Sequence, residues 1–335
     1  MKKLWPWLWL LAAAGGCVQP SCPREHLSLE TLVARHNANA DKVDRLWARA
    51  SIRVDFQDDK GRRVTWGSSS PLASPNGWVM LAKSAPTTMP ASAPCDDGDQ
   101  VEPSRQDASF VIIGKEAGQD LFRLGVDRAS GLYYLSYELG QDSASWYGRI
   151  ALAGAPDVTN VRIDPMQLLE ILQVTALPEM EPESLPAVVM TLQDNPCAYV
   201  VRYLKPQPVT GALKIWREVY FKWDDRQPAL PYQVRLYDAD GLCRVIADVG
   251  KYARIEADQK DATTQPAEPP IMPTEIRMVW PAIRDVQPYS MMSLRLSQMS
   301  TKKPFSDTTF KFRPSGSSTQ VDEAYGADFT EQPSP

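Results

Sequence analysis

The run LKIWREVYFKW, residues 213–223, alternates with a period of two residues. Such alternation predicts a β-strand with one dry and one wetter face. An arginine interrupts the dry face. This residue, Arg217, either lies near a sheet edge with its guanidinium in water, or lies in a cavity and binds the polar head group of a ligand or a backbone carbonyl. We favour the sheet edge. The dry face carries Leu213, Ile215, Val219, Phe221 and Trp223, and the arginine is Arg217.

The next strand-like run, residues 232–237, has the same period. Pairing the two runs through a turn at residues 224–229 places their apolar residues on the same side of one sheet. We therefore predict an apolar cavity on that side, with Arg217 as its one charged group. Its lining would be Leu213, Ile215, Val219, Phe221, Trp223, Val234 and Leu236.

Period-two runs recur along the chain and predict a mainly β protein. Two helices interrupt them, one over residues 28–50 capped by Ser28, and one over 165–173 that begins at Asp164-Pro165. Strands with one wet and one dry face are typical of antiparallel sheets. We therefore predict one strongly curved antiparallel sheet with both helices on its concave side. The other predicted strands are 52–56, 62–68, 78–82, 110–115, 120–126, 132–138, 145–150, 188–192, 198–204, 243–249, 276–280, 292–298 and 308–312.

The beginning of the chain is typical of an export signal. Two lysines precede an apolar run of eleven residues, 4–14, and Ala14-Gly15-Gly16-Cys17 looks like a bacterial lipobox. A membrane-spanning helix needs roughly 20 residues, so the run is too short to be one. We interpret residues 1–16 as a lipoprotein signal peptide and Cys17 as the lipid-attachment site, with a plain signal peptide as the alternative. Val18, rather than an aspartate, follows the cysteine, which favours the outer membrane.

Composition disfavours several classes of function. The formal net charge of -5 becomes -7 once the two lysines of the signal are removed, which argues against a nucleic-acid groove and against electrostatic membrane binding. Membrane attachment would then rest on the lipid. The sequence shows no metal-ligand spacing, cofactor fingerprint or nucleophile motif. His36 falls on the apolar face of the first helix, which indicates a core position. We predict a protein that is not an enzyme and uses no metal or cofactor.

Four further cysteines are Cys22, Cys95, Cys197 and Cys243. They allow three complete disulfide pairings among which the sequence does not choose, and unpaired buried thiols are an equal alternative.

The chain divides into four parts. Residues 17–26 are predicted to be a tether and 27–313 one domain. Within that domain, 84–108 and 257–274 are rich in proline and polar residues and predict long unstructured loops. Residues 314–335 predict an unstructured acidic tail.

A family resemblance rests on three segments. They are 215–221 (IWREVYF), 231–238 (PYQVRLYD) leading into Asp240-Gly241, and 310–314 (FKFRP) with Val321-Asp322 beyond. After a first helix and an antiparallel meander, this order resembles the LolA/LolB family of lipoprotein carriers. The resemblance implies an unclosed β-barrel whose mouth is plugged by helices and whose apolar cavity takes acyl chains. An Arg-Pro found in the carriers has no match at Ser74-Pro75-Asn76-Gly77, so no functional residue is carried over.

Two functions are the main candidates from the sequence, and a hydrolase is a third that only a cluster of Asp, Ser or Arg around a cleft would support. The first is a membrane-anchored envelope lipoprotein that binds acyl chains or another apolar ligand, in lipid or lipoprotein transfer. The second is a structural or interaction lipoprotein whose barrel is filled by its own side chains. The volume of the interior cavity separates them, because ligand pockets span roughly 300–1,000 Å³.

Overall fold

The computed structural model describes residues 22, 26–57, 61–68, 70, 74–83, 108–139, 142–153, 163–172, 175–178, 187–207, 210–223, 229–255, 268–283, 289–314 and 317–322. These residues contain two α-helices, α1 (Leu29–Ala40) and α2 (Pro165–Ile171), and short 3-10 turns at Ile150–Leu152 and Asp307–Thr309. Neither helix has the length and apolar character needed to cross a membrane.

Fifteen strands are present in the described part of the chain. They are β1 (Arg45–Gln57), β2 (Arg63–Trp66), β3 (Gly77–Lys83), β4 (Ala108–Glu116), β5 (Gln119–Asp127), β6 (Leu132–Leu139), β7 (Asp142–Arg149), β8 (Ala187–Asp194), β9 (Cys197–Pro206), β10 (Leu213–Lys222), β11 (Pro231–Tyr237), β12 (Cys243–Arg254), β13 (Ile271–Trp280), β14 (Ser290–Ser300) and β15 (Thr319–Gln320).

All of these strands belong to one sheet. Its order is β15-β7-β6-β5-β4-β3-β1-β14-β13-β12-β11-β10-β9-β8, with β2 paired to β1 beside this path. Neighbouring strands are antiparallel, as expected when each strand returns beside the one before it, and β15 on β7 is the parallel exception. The sheet is not closed into a barrel. The predicted mainly β, antiparallel, unclosed architecture is confirmed.

The inner face of the sheet is the face of β1 that carries Ala50, Ile52 and Val54. Alternate residues of the strands form the main apolar core there, because successive side chains of a strand point to opposite faces. Both helices pack on this core. Their residues in it include Leu32 and Val33 of α1, and Met166, Leu168, Leu169 and Ile171 of α2.

The outer face is covered over β3–β7 by residues 301–314 and 317–322, which we call the C-terminal strap. Phe310 lies in a second apolar cluster together with Met80, Val111 and Tyr134. The Phe312 ring stacks on Tyr134 with a centroid distance of 4.3 Å. The strap therefore buries apolar side chains that would otherwise face water.

Polar contacts fix the strap along its length. Arg123 Nη2 donates to the carbonyl of Thr309 at 2.8 Å. Asp322 is fully buried and accepts hydrogen bonds from the backbone N–H (2.8 Å) and Nε (2.9 Å) of Arg149. Charge-assisted bonds of this kind are among the stronger ones in proteins, and they hold β15 against the edge strand β7.

The first helix is shorter than predicted. Ser28 caps it as expected, because its Oγ accepts a hydrogen bond from Thr31 N at 3.2 Å. The helix ends at Ala40, however, and β1 begins at Arg45. From Leu46 to Val54 alternate residues are buried, so the chain has already changed from a period of 3.6 to a period of 2.

Most other elements lie where predicted, and three differ. The predicted strand 308–312 is a 3-10 turn followed by an extended part of the strap. Residues 319–322, expected in the unstructured tail, form β15 and a buried turn. Residues 271–274, expected in a loop, begin β13. The rest of the predicted loops, 84–107 and 257–267, lies outside the described residues, as do residues 323–335 and Cys17.

Candidate functional site

Five of the predicted cavity residues come together on the inner face. Val219, Phe221 and Val234 are at most 1% exposed, and Trp223 and Leu236 are also buried. The predicted pairing of the two runs is confirmed, because Val219 of β10 lies opposite Val234 of β11. Their apolar side chains join one continuous core.

Leu213 and Ile215 lie on the other face. A β-bulge between Ile215 and Arg217 sets Ile215 opposite Leu204 of β9, whereas Arg217 lies opposite Tyr203. One extra residue in a strand reverses the side-chain alternation beyond it. Leu213 is consequently half exposed. Both residues are removed from the predicted lining.

The bulge residue takes the vacated position on the inner face. The indole of Trp216 packs against the main core and lies 6.0 Å from the Tyr203 ring, measured between ring centroids. Strict alternation from Leu213 places Trp216 on the outer face, opposite to where it lies. No residue in the run itself marks the bulge, so periodicity could not have found this aromatic contact.

Helix α1 covers this part of the sheet directly. The His36 ring meets Phe221 edge-on with a centroid distance of 5.9 Å, and His26, just before the helix, lies 4.8 Å from the Trp223 ring. His36 is buried, as its place on the apolar helix face predicted. The five inner-face cavity residues are thus covered by the chain's own side chains.

The position of α1 is set by bonds from its side chains to the backbone of other elements. Asn37 exchanges two hydrogen bonds with Leu177, at 2.9 Å and 2.7 Å. Asn39 does the same with Ile271, with both distances 2.8 Å. At the C-terminal end of the helix, Lys83 Nζ donates to the carbonyl of Ala40 at 2.8 Å. Each amide thus pairs with one backbone donor and one backbone acceptor, and those of Leu177 are buried.

A disulfide between Cys22 and Cys197 ties the segment before α1 to the start of β9. Leu27 N also donates to the Tyr199 hydroxyl of the same strand at 3.0 Å. Cys243 is a free thiol, and Cys95 lies outside the described residues. The sequence leaves the Cys22–Cys197 bond open among its alternatives, and the structure forms this bond beside a free thiol at Cys243.

Arg217 lies beneath α2 and not at a sheet edge, so the favoured interpretation from the sequence is wrong. It is 3% exposed. Its Nη2 donates to the backbone carbonyl of Glu170 at 3.2 Å, and its Nη1 is 3.8 Å from that residue's Oε2. The alternative interpretation, in which the arginine holds a backbone carbonyl, describes this contact. A second bond to α2 comes from Trp280 Nε1, which donates to Gln167 Oε1 at 2.9 Å.

Two titratable groups close to the helices have shifted pKa values. Burial lowers the pKa of His36 to about 4, and the positive charge of Arg217 acts in the same direction. Burial raises the pKa of Asp164 to about 6, although its carboxylate accepts a hydrogen bond from Met166 N at 2.8 Å and caps α2. At neutral pH the imidazole of His36, on the buried face of α1, is therefore neutral.

Within the described ranges no group of three or more His, Cys, Asp or Glu residues could hold a metal ion. What the site offers is an apolar sheet face, two short helices over it, and one buried guanidinium.

Solved structures with a similar fold were found at low sequence identity. A DUF1329 family protein from Desulfovibrio piger is 13% identical, with a TM-score of 0.41, and the match covers 84% of this chain and 94% of that one. A LolA superfamily protein from Nitrosomonas europaea is 11% identical, with a TM-score of 0.38 and coverage of 84% and 97%.

A domain from Vibrio parahaemolyticus, described as an outer membrane lipoprotein-sorting protein domain, is 10% identical, with a TM-score of 0.39 and coverage of 83% and 95%. No protein-family model matches the chain, and no curated protein matches it in sequence. A LolA superfamily protein is thus among the structural neighbours.

Proposed function

We propose that this protein is a lipid-anchored envelope protein that binds acyl chains, or another apolar ligand, between the inner face of its sheet and the helices α1 and α2. Cys17 is the attachment site, and the outer membrane is the proposed location. The proposed action is not enzymatic. Such binding would take part in the transfer of lipids or lipoproteins.

The observation that carries the proposal is an apolar sheet face covered by two short helices. An acyl chain that buries ten methylene groups gains about 8 kcal/mol. A typical hydrogen bond contributes about 1 kcal/mol net. The ligand's apolar surface can therefore replace the apolar surface of a displaced helix. Displacing α1 or α2 breaks only a few side-chain hydrogen bonds, which costs less than breaking the ladder hydrogen bonds of the sheet.

Arg217 has a specific place in this proposal. Its guanidinium holds the Glu170 carbonyl at the end of α2, and its Nε has no hydrogen-bond partner among the described residues. If α2 moves away, the charge of Arg217 faces the opened space. A carboxylate or phosphate at the end of an acyl chain would then meet a buried cation, which favours an amphipathic ligand over a plain hydrocarbon.

The second candidate is a structural or interaction lipoprotein. The near-complete burial of Val219, Phe221 and Val234 beneath the chain's own side chains favours it. In that function the helices stay in place and the interior contributes only to stability.

The separating experiment is binding of a fluorescent fatty-acid analogue to the delipidated protein. Val219→Arg places a charge on the inner face and should weaken binding strongly, because burying a charge without a partner is costly. Val189→Arg is the matched control, since Val189 of β8 is 46% exposed. Circular dichroism verifies the fold of both variants.

Absence of acyl binding by the folded parent would select the structural function. Binding that survives Val219→Arg would place the ligand elsewhere. Mass spectrometry of lipids that co-purify with the parent is an independent measurement and needs no variant.

The proposed anchor has its own test. Cys17→Ala should leave the protein in the soluble periplasmic fraction or as an uncleaved precursor. Processing and membrane association identical to the parent would refute lipidation at Cys17 without bearing on the acyl site.

A further inference from the structure

A groove of about 500 Å³ crosses the outer face of the sheet over β1, β14, β13 and β12. It lies on the side of the sheet opposite α1 and α2, because Arg53 and Arg277 alternate with the buried Ile52 and Ile276. Its size is within the range of small-molecule sites. The residues that matter for its chemistry are Arg53, Asp248, Gly250, Glu275, Arg277 and Arg295.

Two rows of side chains cross the groove. In one row Asp248, Arg277, Ser293 and Arg53 are successive partners on β12, β13, β14 and β1. Since neighbouring strands lie about 4.8 Å apart, the Cα atoms of Arg53 and Arg277 are roughly 10 Å apart, with Ser293 between them. Both guanidinium groups can reach the same point above Ser293.

The second row includes the paired residues Glu275 and Arg295, and its charges already compensate one another. Glu275 Oε1 accepts from Arg295 Nε at 3.1 Å and from Lys251 Nζ at 2.8 Å. Because these bonds exist in the free protein, Arg295 has less to offer a ligand than an arginine whose donors are uncommitted.

Arg53 and Arg277 differ from Arg295 in this respect. Arg277 makes no hydrogen bond or ion pair with any residue that the structure describes. Arg53 Nε is buried and has no hydrogen-bond partner there, and Asp55, two residues further along β1, is bound by Arg63. Buried donors without partners are uncommon in folded proteins and require an explanation.

We propose that this groove binds a phosphate group, held between Arg53 and Arg277 with the Ser293 hydroxyl as a further donor. Arginine forks match the oxygens of phosphate, and two of them on opposite sides suit an anion that presents several oxygens better than a single planar carboxylate. The serines at residues 51, 68 and 70 also line the groove, so the remainder of the ligand is polar. A soluble phosphate ester and a phospholipid head group share this chemistry.

Gly250, which also lines the groove, offers a second means of testing. A Cβ built on Gly250 has no other atom within 4 Å, and the backbone there has no positive φ. A large side chain at this position can enter the groove without disturbing the sheet. Gly250→Trp therefore blocks the site sterically and leaves both arginines in place.

The experiment is calorimetric titration of the purified protein with sn-glycerol 3-phosphate, and with inorganic phosphate and succinate for comparison. Arg53→Gln and Arg277→Gln should each weaken glycerol phosphate binding about tenfold or more, because each removes a charged hydrogen-bond donor. Gly250→Trp should abolish binding. Arg254→Gln is the matched control: Arg254 is also on β12, outside the groove, and its charge pairs with Glu268. It should leave the affinity unchanged.

Any one of four results overturns the proposal, and the first three concern the affinities of the parent and the groove variants. They are no binding of glycerol phosphate up to about 10 mM, equal affinity in the parent and the three groove variants, and succinate binding as tight as that of the phosphates. An equal loss in Arg254→Gln would show a general charge effect and would also overturn it. If phosphatidylglycerol vesicles compete with glycerol phosphate for the site, the natural ligand is a lipid head group. If they do not compete, the natural ligand is a soluble phosphate ester.

Discussion

Removal of the Cys22–Cys197 disulfide is expected to lower the free energy of unfolding by about 5 kcal/mol. The two cysteines are 175 residues apart. In the chain-entropy model a cross-link restricts the unfolded chain in proportion to the logarithm of the loop length, and a loop of 100 residues corresponds to about 4.7 kcal/mol. The longer loop here raises this figure only slightly.

The perturbation is the double variant Cys22→Ala and Cys197→Ala, with Cys243→Ala as the control because Cys243 is a free thiol. Unfolding by urea, followed by tryptophan fluorescence, yields the free energy in water. The same loss should appear when the parent is reduced. The loss should also come with faster entry of an acyl probe, since the disulfide restrains the segment that leads into α1.

A double variant within about 1 kcal/mol of the parent would refute the entropic argument, because the model predicts several times that loss. An equal loss in Cys243→Ala would show that the effect comes from altered packing. Stability that falls without any change in probe entry would keep the disulfide as a stabilising link and reject its connection to the motion of α1.

Three further predictions concern single positions. Gly125→Ala should cost about 1–3 kcal/mol, because its Cβ would lie 2.4 Å from the Phe110 carbonyl oxygen, whereas Gly250→Ala should stay within about 0.5 kcal/mol of the parent in the same urea titration. Arg217→Met should cost about 1–3 kcal/mol by leaving the Glu170 carbonyl without its donor, and hydrogen exchange of α2 should become faster. Asp164→Asn should be more stable than the parent at pH 7.5 by at most about 3 kcal/mol, and this gain should disappear near pH 4. The sign of this effect follows from the raised pKa of Asp164. That pKa is about 6 in the folded state and 3.8 in the unfolded chain, so the folded state loses stability as the pH rises between these two values. His36 has the opposite effect, because its pKa falls from 6.5 to about 4 on folding and the folded state loses stability as the pH drops between these values. In the parent the protonation of Asp164 offsets part of this loss, so Asp164→Asn should be more acid-sensitive than the parent.

Much of the sheet could be predicted because many of its strands alternate between apolar and polar residues. Val219 and Val234 face each other as expected, since a strand with one dry face has only one register that buries it. The bulge before Arg217 could not be foreseen. The inserted residue is a tryptophan, which suits either face, so the pattern contains no sign that alternation reverses there.

The end of α1 was missed for a related reason. Val43 and Ala50 fit a helical stripe that starts at Leu29, and they also fit the approach to a strand with buried Leu46 and Ile52. Helical and strand periods coincide over so short a stretch, and Asp41 is a weak helix terminator. Tertiary pairing of β1 with β14 and β3 decides the outcome, and that information is not local.

The strap and the groove have one explanation. Where β3, β4 and β6 carry Met80, Val111 and Tyr134 on the outer face, the strap covers them with Phe310 and Phe312. Over β12, β13, β14 and β1 the outer face carries arginine, serine and acidic residues instead. A polar half of the face needs no apolar cover, and its charged side chains keep favourable hydration only if they stay open to water. The outer face is therefore divided by composition, and the proposed phosphate site lies on the half that composition leaves open.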